Sequence, residues 1–252
     1  MARMADSARP RYWLIAAALR EAIESGQYPP GARLPGENDV MKQSGVARGT
    51  ARQALAQLVI WGLAEARRGS GIYVRDFRPI LREGNRRLGP STWPSGQSVW
   101  AAEAAGRDLA IDQIEVTETD PPAHVRTLLG LASDATAVLR SRRFVLDGKP
   151  VLVSRSWLPA AIASGTAIAR PDTGPGGIYA RLAELGHAPA RFREDLRSRM
   201  PLPAETERLA IAPGTPVTDI VRVALDAHGT PVEVNEMTAD SSAYIFRYEF
   251  GG

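Results

Sequence analysis

The sequence has no cysteine, which excludes a disulfide framework, cysteine-ligated zinc, iron–sulfur clusters and every thiol nucleophile. It has no apolar run near the roughly 18 residues that would span a bilayer; the longest, such as Leu14–Leu19, are the size of a helix core. Residues 1–10 interleave charges with small residues and contain no apolar h-region, so no secretory signal is expected and the chain reads as cytoplasmic. Histidine is scarce. His124, His187 and His228 lie far apart, none with a ligand partner at i+3 or i+4, so no metal site and no cofactor are expected. G-x-S-x-G, Walker and G-x-G-x-x-G motifs are missing, and Gly174-Pro175-Gly176-Gly177 fits none of them. No catalytic residue is assigned, and the chain is read as a non-enzyme.

What remains is an ordinary globular composition, 44% hydrophobic and 23% charged, over a length of 252 residues that favours two domains. The net charge of +3 is unevenly distributed. Residues 1–98 carry 15 Lys and Arg against 8 Asp and Glu, net +7, whereas residues 99–252 carry 16 against 20, net −4. A nucleic-acid-binding domain joined to a non-binding domain has this asymmetry, although a basic surface could equally face acidic lipid or protein.

Three helices are predicted first: Arg11 to Ser25, with apolar residues at three- and four-residue spacing and Gly26 as a stop, Glu37 to Ser44, ended by Gly45, and Arg48 to Trp61, closed by Gly62. Leu63–Ala66, the turn 67–71 and Ile72–Val74 then read as a small hairpin. This order is that of a winged helix-turn-helix, assigned to residues 1–76. Residues 77–91, rich in Arg, Pro and Gly without periodicity, read as a linker able to absorb a change in domain orientation. Residues 92–252 hold strand-like segments at Ile111–Glu118, Ala137–Leu146, Val151–Leu158, Phe192–Met200, Val217–Ala224, Val232–Met237 and Tyr244–Phe250, with helices at Ile178–Leu185 and Ala204–Leu209. Hairpin-joined strands with few helices predict an α+β fold with a mostly antiparallel sheet.

Gly45 between the second and third helices is the turn that sets a recognition helix against its support. On the third helix Gly49, Arg52, Gln53 and Ala56 share the arc opposite Ala51, Ala54 and Leu58, with Arg48 at its border in the first turn. Arg can grip guanine and Gln adenine through two hydrogen bonds, and small residues admit the helix deep into the major groove. Alone, Gln53 is equally well read as a solvated surface residue. The hairpin turn supplies Arg67 and Arg68 beside Gly69, Ser70 and Gly71, whose small side chains let backbone N–H groups reach phosphate; its plain reading is a hairpin turn.

The blocks Tyr12-Trp13-Leu14-Ile15, Ile23-Glu24-Ser25-Gly26, Tyr28-Pro29-Pro30-Gly31-Ala32-Arg33-Leu34-Pro35, Arg48-Gly49-Thr50-Ala51-Arg52-Gln53-Ala54-Leu55 and Gly69-Ser70-Gly71-Ile72-Tyr73-Val74 resemble the N-terminal signature of GntR-family bacterial transcription regulators. The resemblance implies operator contacts by Arg48, Thr50, Arg52 and Gly69. Two positions depart from it. Ala47 replaces a usual Ser or Thr and forgoes an N-cap worth about 1 kcal/mol, and Asn38 stands where the family commonly has Arg.

From about residue 92 the chain resembles the UTRA effector domain of the HutC subfamily. The resemblance is carried by Arg142 to Val151, Ser156-Trp157-Leu158-Pro159, Asp172 to Tyr179 and Pro231-Val232-Glu233-Val234-Asn235. It implies a six-stranded antiparallel sheet with helices, similar to chorismate lyase, that binds a small molecule. Three features could line its pocket: Arg140 and Arg142 on one strand face, Gly176 and Gly177 before a helix, and Glu194 and Glu233 on separate strands. Paired arginines and a helix N-terminus favour a carboxylate or phosphate. Taken singly, each also reads as an exposed Arg face, a turn needing positive φ, or edge-strand carboxylates.

The expectation is a homodimeric regulator, a repressor that binds a near-palindromic double-stranded DNA operator through Arg48, Gly49, Thr50, Arg52, Gln53, Arg67, Arg68, Gly69 and Ser70, with an anionic effector as its small-molecule partner and no membrane partner. The alternatives are a small-molecule binding protein whose basic N-terminal domain contacts protein rather than DNA and, less favoured, a lyase-like enzyme.

Overall fold

The computed structural model describes residues 9–67, 69–76, 78–84, 88, 98–212 and 214–249. The chain divides into two compact units, Met1–Arg78 with Ile211–Thr215, and Pro79–Ala210 with Pro216–Gly252.

In the first unit the predicted elements form nearly as expected: α1 (Arg11–Glu24), α2 (Glu37–Ser44), α3 (Arg48–Ile60), β1 (Ala64–Arg67) and β2 (Gly71–Val74). Small residues let the helices approach closely. Ala16, Ala51 and Ala54 are fully buried, with Val40, Leu55 and Leu58 around them, and the β1–β2 hairpin closes the cluster through Ala64 and Val74. Gly45 ends α2 in the left-handed region at φ 61°, donating its N–H to the Met41 carbonyl; a side chain there would strain the turn that aims α3. The first turn of α3 has no side-chain cap at Ala47, as its methyl group requires.

The second unit contains β3 (Ile80–Glu83), α4 (Val99–Ala104), β4 (Leu109–Thr119), α5 (Ala123–Leu129), β5 (Ala137–Leu146), β6 (Lys149–Pro159), α6 (Ala160–Ala163), α7 (Gly177–Glu184), β7 (Arg191–Arg199), α8 (Pro203–Leu209), β8 (Val217–Leu225), β9 (Pro231–Asp240) and β10 (Tyr244–Arg247). Its sheet has six strands in the order β4-β5-β6-β9-β8-β7, and every pairing is antiparallel. One face packs α7 against Val138, Leu158 and Ala224. The other seats Val125 and Leu129 of α5 on Ala137, Trp157, Val223 and Val234.

Two expectations change. The segment at residues 77–91, read as a linker, contains β3, and the last strand does not join the main sheet: β10 pairs in parallel with β3, Tyr244 opposite Ile80 through Arg247 opposite Glu83. A four-residue strand paired with a distant segment has no local periodicity to announce it, and one of its two middle residues is an arginine. Arg82 is nevertheless only 1% exposed. It lies 3.0 Å from Glu194 of β7 and 3.4 Å from Glu103 of α4, both of them buried. The short helices α4, α5 and α6 were also not anticipated; at six, seven and four residues they are too brief to display a helical period.

Neutralising one of the two carboxylates beside a buried arginine leaves its charge only partly compensated. Glu194→Gln should therefore destabilise the second unit by about 3 kcal/mol, measured as a lower urea midpoint at unchanged slope; an unaltered midpoint would show that Arg82 does not depend on Glu194.

Candidate DNA-recognition surface and effector site

The candidate recognition surface is built from the ends of two helices. Arg48 and Arg52, one helical turn apart on α3, both reach Glu37 in the first turn of α2: Arg48 Nε lies 2.7 Å from Oε2 and Arg52 Nε 2.8 Å from Oε1. The two arginines remain largely exposed, at 67% of each side chain. Hydrogen bonds from Arg52 and then Arg48 lower the Glu37 pKa from its usual 4.5 to about 2, so the carboxylate stays ionised across the physiological range. The pairing arranges the two guanidinium groups side by side on the exposed arc. Glu37 went unnoticed in the sequence because it lies on the support helix, and only the angle between α2 and α3 brings it to the arginines.

Gly49 and Gln53 are exposed and Thr50 is partly so; a Cβ at Gly49 would meet nothing within 4 Å, so the helix surface is flat there. Asn38 is exposed on α2. In the hairpin turn, Gly69 adopts φ 71°. Ser70 Oγ lies 2.6 Å from Tyr73 Oη. Arg67 donates to Glu65 at 2.9 Å and stacks 4.4 Å from the Tyr73 ring, which stiffens the wing. Arg68, also expected to contact DNA, lies outside the described residues.

In the second unit a cavity of about 30 Å³ is lined by residues that include Arg142, Gly176, Gly177, Tyr179, Arg222, Glu233 and Asn235. Four of the six residues expected at the effector site therefore come together. Gly176 caps α7 at φ 78°, a conformation that glycine adopts without strain. Glu233 is fully buried and accepts hydrogen bonds from Tyr179 Oη at 2.6 Å and from Ser156 Oγ. Asn235 Oδ1 accepts from Ser154 Oγ at 2.8 Å. On the donor side, Arg142 Nε, Arg222 Nε and Nη1, and Asn235 Nδ2 are enclosed and have no hydrogen-bond acceptor among the described residues. Burial lowers the Arg142 pKa, an effect that Glu233 offsets in part. Burial also opposes charge on Arg222, but Tyr179, Glu233, Glu194 and Glu103 outweigh it and raise its pKa. A group held here would meet guanidinium donors from β5 and β8 and an amide donor from β9.

The other two expected residues are placed elsewhere. Arg140 shares a strand face with Arg142, but its guanidinium donates to the carbonyls of Ile168, Arg170 and Pro171. It clamps that turn and does not line the cavity. Burial lowers its pKa to about 10, and it remains charged at neutral pH. Glu194 points into the Arg82 ion pair and lies 3.8 Å from Arg222, so it neutralises arginines from behind the cavity. Arg222 was overlooked because it sits in an apolar strand; its opposition to Asn235 across β8 and β9 is a matter of register.

Residues 104–245, more than half of the chain, match the UTRA domain, and residues 12–74 match the bacterial regulatory proteins of the gntR family. Among similar proteins is an uncharacterised HTH-type transcriptional regulator of Streptomyces coelicolor, 28% identical over 96% of this chain and 93% of that protein. The mannosyl-D-glycerate transport/metabolism system repressor of Escherichia coli is 30% identical over 61% of this chain and 60% of its own length. The fold is shared with PhnF from Mycobacterium smegmatis, at a TM-score of 0.60 and 24% identity, over 94% of this chain and 99% of that one. The pairing of these two domains matches the HutC-like architecture. The chain belongs to the GntR family as a DNA-binding transcription regulator with a UTRA effector domain.

Proposed function

We propose that the protein is a homodimeric repressor of a near-palindromic operator, released or retained by an anionic small molecule, and that it performs no catalysis. The observation that carries the DNA half is the pair of exposed arginines held side by side by Glu37. Arg48 and Arg52 enter the major groove with Gly49, Thr50 and Gln53, while Arg67, Arg68, Gly69 and Ser70 of the wing grip the phosphate backbone. One winged helix-turn-helix reads only a short half-site, so two copies are needed for affinity, and their symmetry makes the operator palindromic. Repression is supported by the function named for the Escherichia coli relative.

The effector half rests on enclosed donors without acceptors. Each unsatisfied buried donor costs about 1–3 kcal/mol, and an anion accepting from Arg142, Arg222 and Asn235 would recover that cost. A cavity of about 30 Å³ has room for about two waters. A metabolite therefore enters only as side chains move, and this movement is the differential interaction that a switch needs.

Three measurements test this reading. Arg52→Ala should weaken operator binding by about 1–3 kcal/mol and relax one base position; equal loss on operator and random duplexes would make Arg52 a phosphate contact instead. Arg68→Ala should weaken binding evenly across sequences and flatten its salt dependence. In thermal unfolding, a panel of sugar phosphates and carboxylic acids should contain compounds that raise the midpoint of the wild-type protein but not of Arg222→Met. Stabilisation only by neutral or cationic compounds would reject an anionic effector.

A further inference from the structure

The six-stranded sheet has two edges, and they differ. On β4 the pairing slips between Asp112 and Glu115, with Gln113 at φ 49°. This bulge bends the edge, and Asp112, Glu115 and Glu118 line it without any Lys or Arg on the strand. Such features guard an edge against pairing. The other edge, β7, is regular: all nine residues from Arg191 to Arg199 pair in unbroken register with β8. Most of its residues are exposed. Leu196 is 38% exposed and Met200, just beyond the strand, 58%. A straight nine-residue edge with exposed apolar side chains is a template for another strand.

We propose that β7 pairs antiparallel with β7 of a second copy, with the two-fold axis passing through Leu196. This places the dimer interface, and it rests on the homodimeric reading above. The charge order of the strand selects the register. A two-fold axis normal to the sheet keeps each face continuous, so the residue on the axis opposes itself and its neighbours oppose at equal steps on either side. An axis at Asp195 sets two carboxylates together and Arg193 against the partner's Arg197. An axis at Arg197 opposes two arginines. An axis at Glu194 sets Arg191 against the partner's Arg197 and leaves Met200 uncovered. With the axis at Leu196, the leucine covers its own copy, Asp195 meets the partner's Arg197 twice by symmetry, and Phe192 meets the partner's Met200. The one like-charge pair is Arg193 with the partner's Arg199. That charge is already neutralised, because Arg199 is held by Glu205 at 2.7 Å and by Asp219 at 2.5 Å. The result is a continuous twelve-stranded sheet.

The absence of cysteine makes the test clean. Directly opposed residues of an antiparallel pair have Cα atoms roughly 4.5–5.5 Å apart, within disulfide reach. On mild oxidation of the full-length protein, Leu196→Cys should convert nearly all chains to a covalent dimer, while Ile114→Cys on the β4 edge should remain uncrosslinked. In sedimentation equilibrium Asp195→Arg should raise the dimer dissociation constant about tenfold, because both symmetry-related pairs change from opposite to like charge. Combining it with Arg197→Asp should restore the dimer. A wild-type dimer whose Leu196→Cys variant does not crosslink would place the interface elsewhere and overturn this inference alone. A wild-type protein that stays monomeric at micromolar concentration would overturn the homodimeric reading as well.

Discussion

The second unit is organised around the burial of arginine. Arg82, Arg140 and Arg222 are each at most 2% exposed, and a guanidinium removed from water is tolerated only where carboxylates or carbonyls surround it. Three solutions operate side by side. Arg140 is satisfied by backbone carbonyls and fixes a turn. Arg82 is ion-paired with Glu103 and Glu194 and draws β3 against the domain. Arg222 lies 3.8 Å from Glu194, lines the cavity and keeps two enclosed donors without a hydrogen bond among the described residues. The same chemistry therefore yields two structural clamps and one group with capacity for a ligand. The distinction lies in position, since Arg222 lines the cavity and Arg82 and Arg140 do not.

The proposed anionic effector would enter a domain whose own net charge opposes it. Residues 99–252 carry −4, yet the cavity wall is locally cationic, because Glu194 and Glu103 stand behind the arginines and Glu233 is engaged by Tyr179 and Ser156. At short range, position outweighs net charge. The DNA-binding unit presents the converse. It is basic as a whole, but a single carboxylate, Glu37, determines where its two leading arginines stand. Held together in this way, they lose less side-chain freedom on binding than two independent long side chains would.

The helices and hairpin of the first unit were legible because each has a period, a stop and a turn residue within a dozen positions. The antiparallel strands were legible for the same reason. The strand Ile80–Glu83 was not, since its partner Tyr244–Arg247 lies at the far end of the chain and Arg82 reads as a solvated residue until Glu103 and Glu194 are beside it. Among the candidate effector residues, alternation correctly put Arg140 and Arg142 on one face. It could not tell that the carbonyls of residues 168–171 would claim the first and leave the second at the cavity.

The sequence alone determined the order of elements, the opposite charges of the two halves, and the arc of α3 that carries Arg52 and Gln53, since these depend on composition and on helical and strand periods that act over a few residues. Only the tertiary structure decided which polar groups are already satisfied. Glu37 between two arginines, Arg222 beside Asn235 and Arg82 against Glu194 are pairings between segments whose separation along the chain is set by strand register and helix crossing, and the strength of each depends on a burial that no single segment can provide.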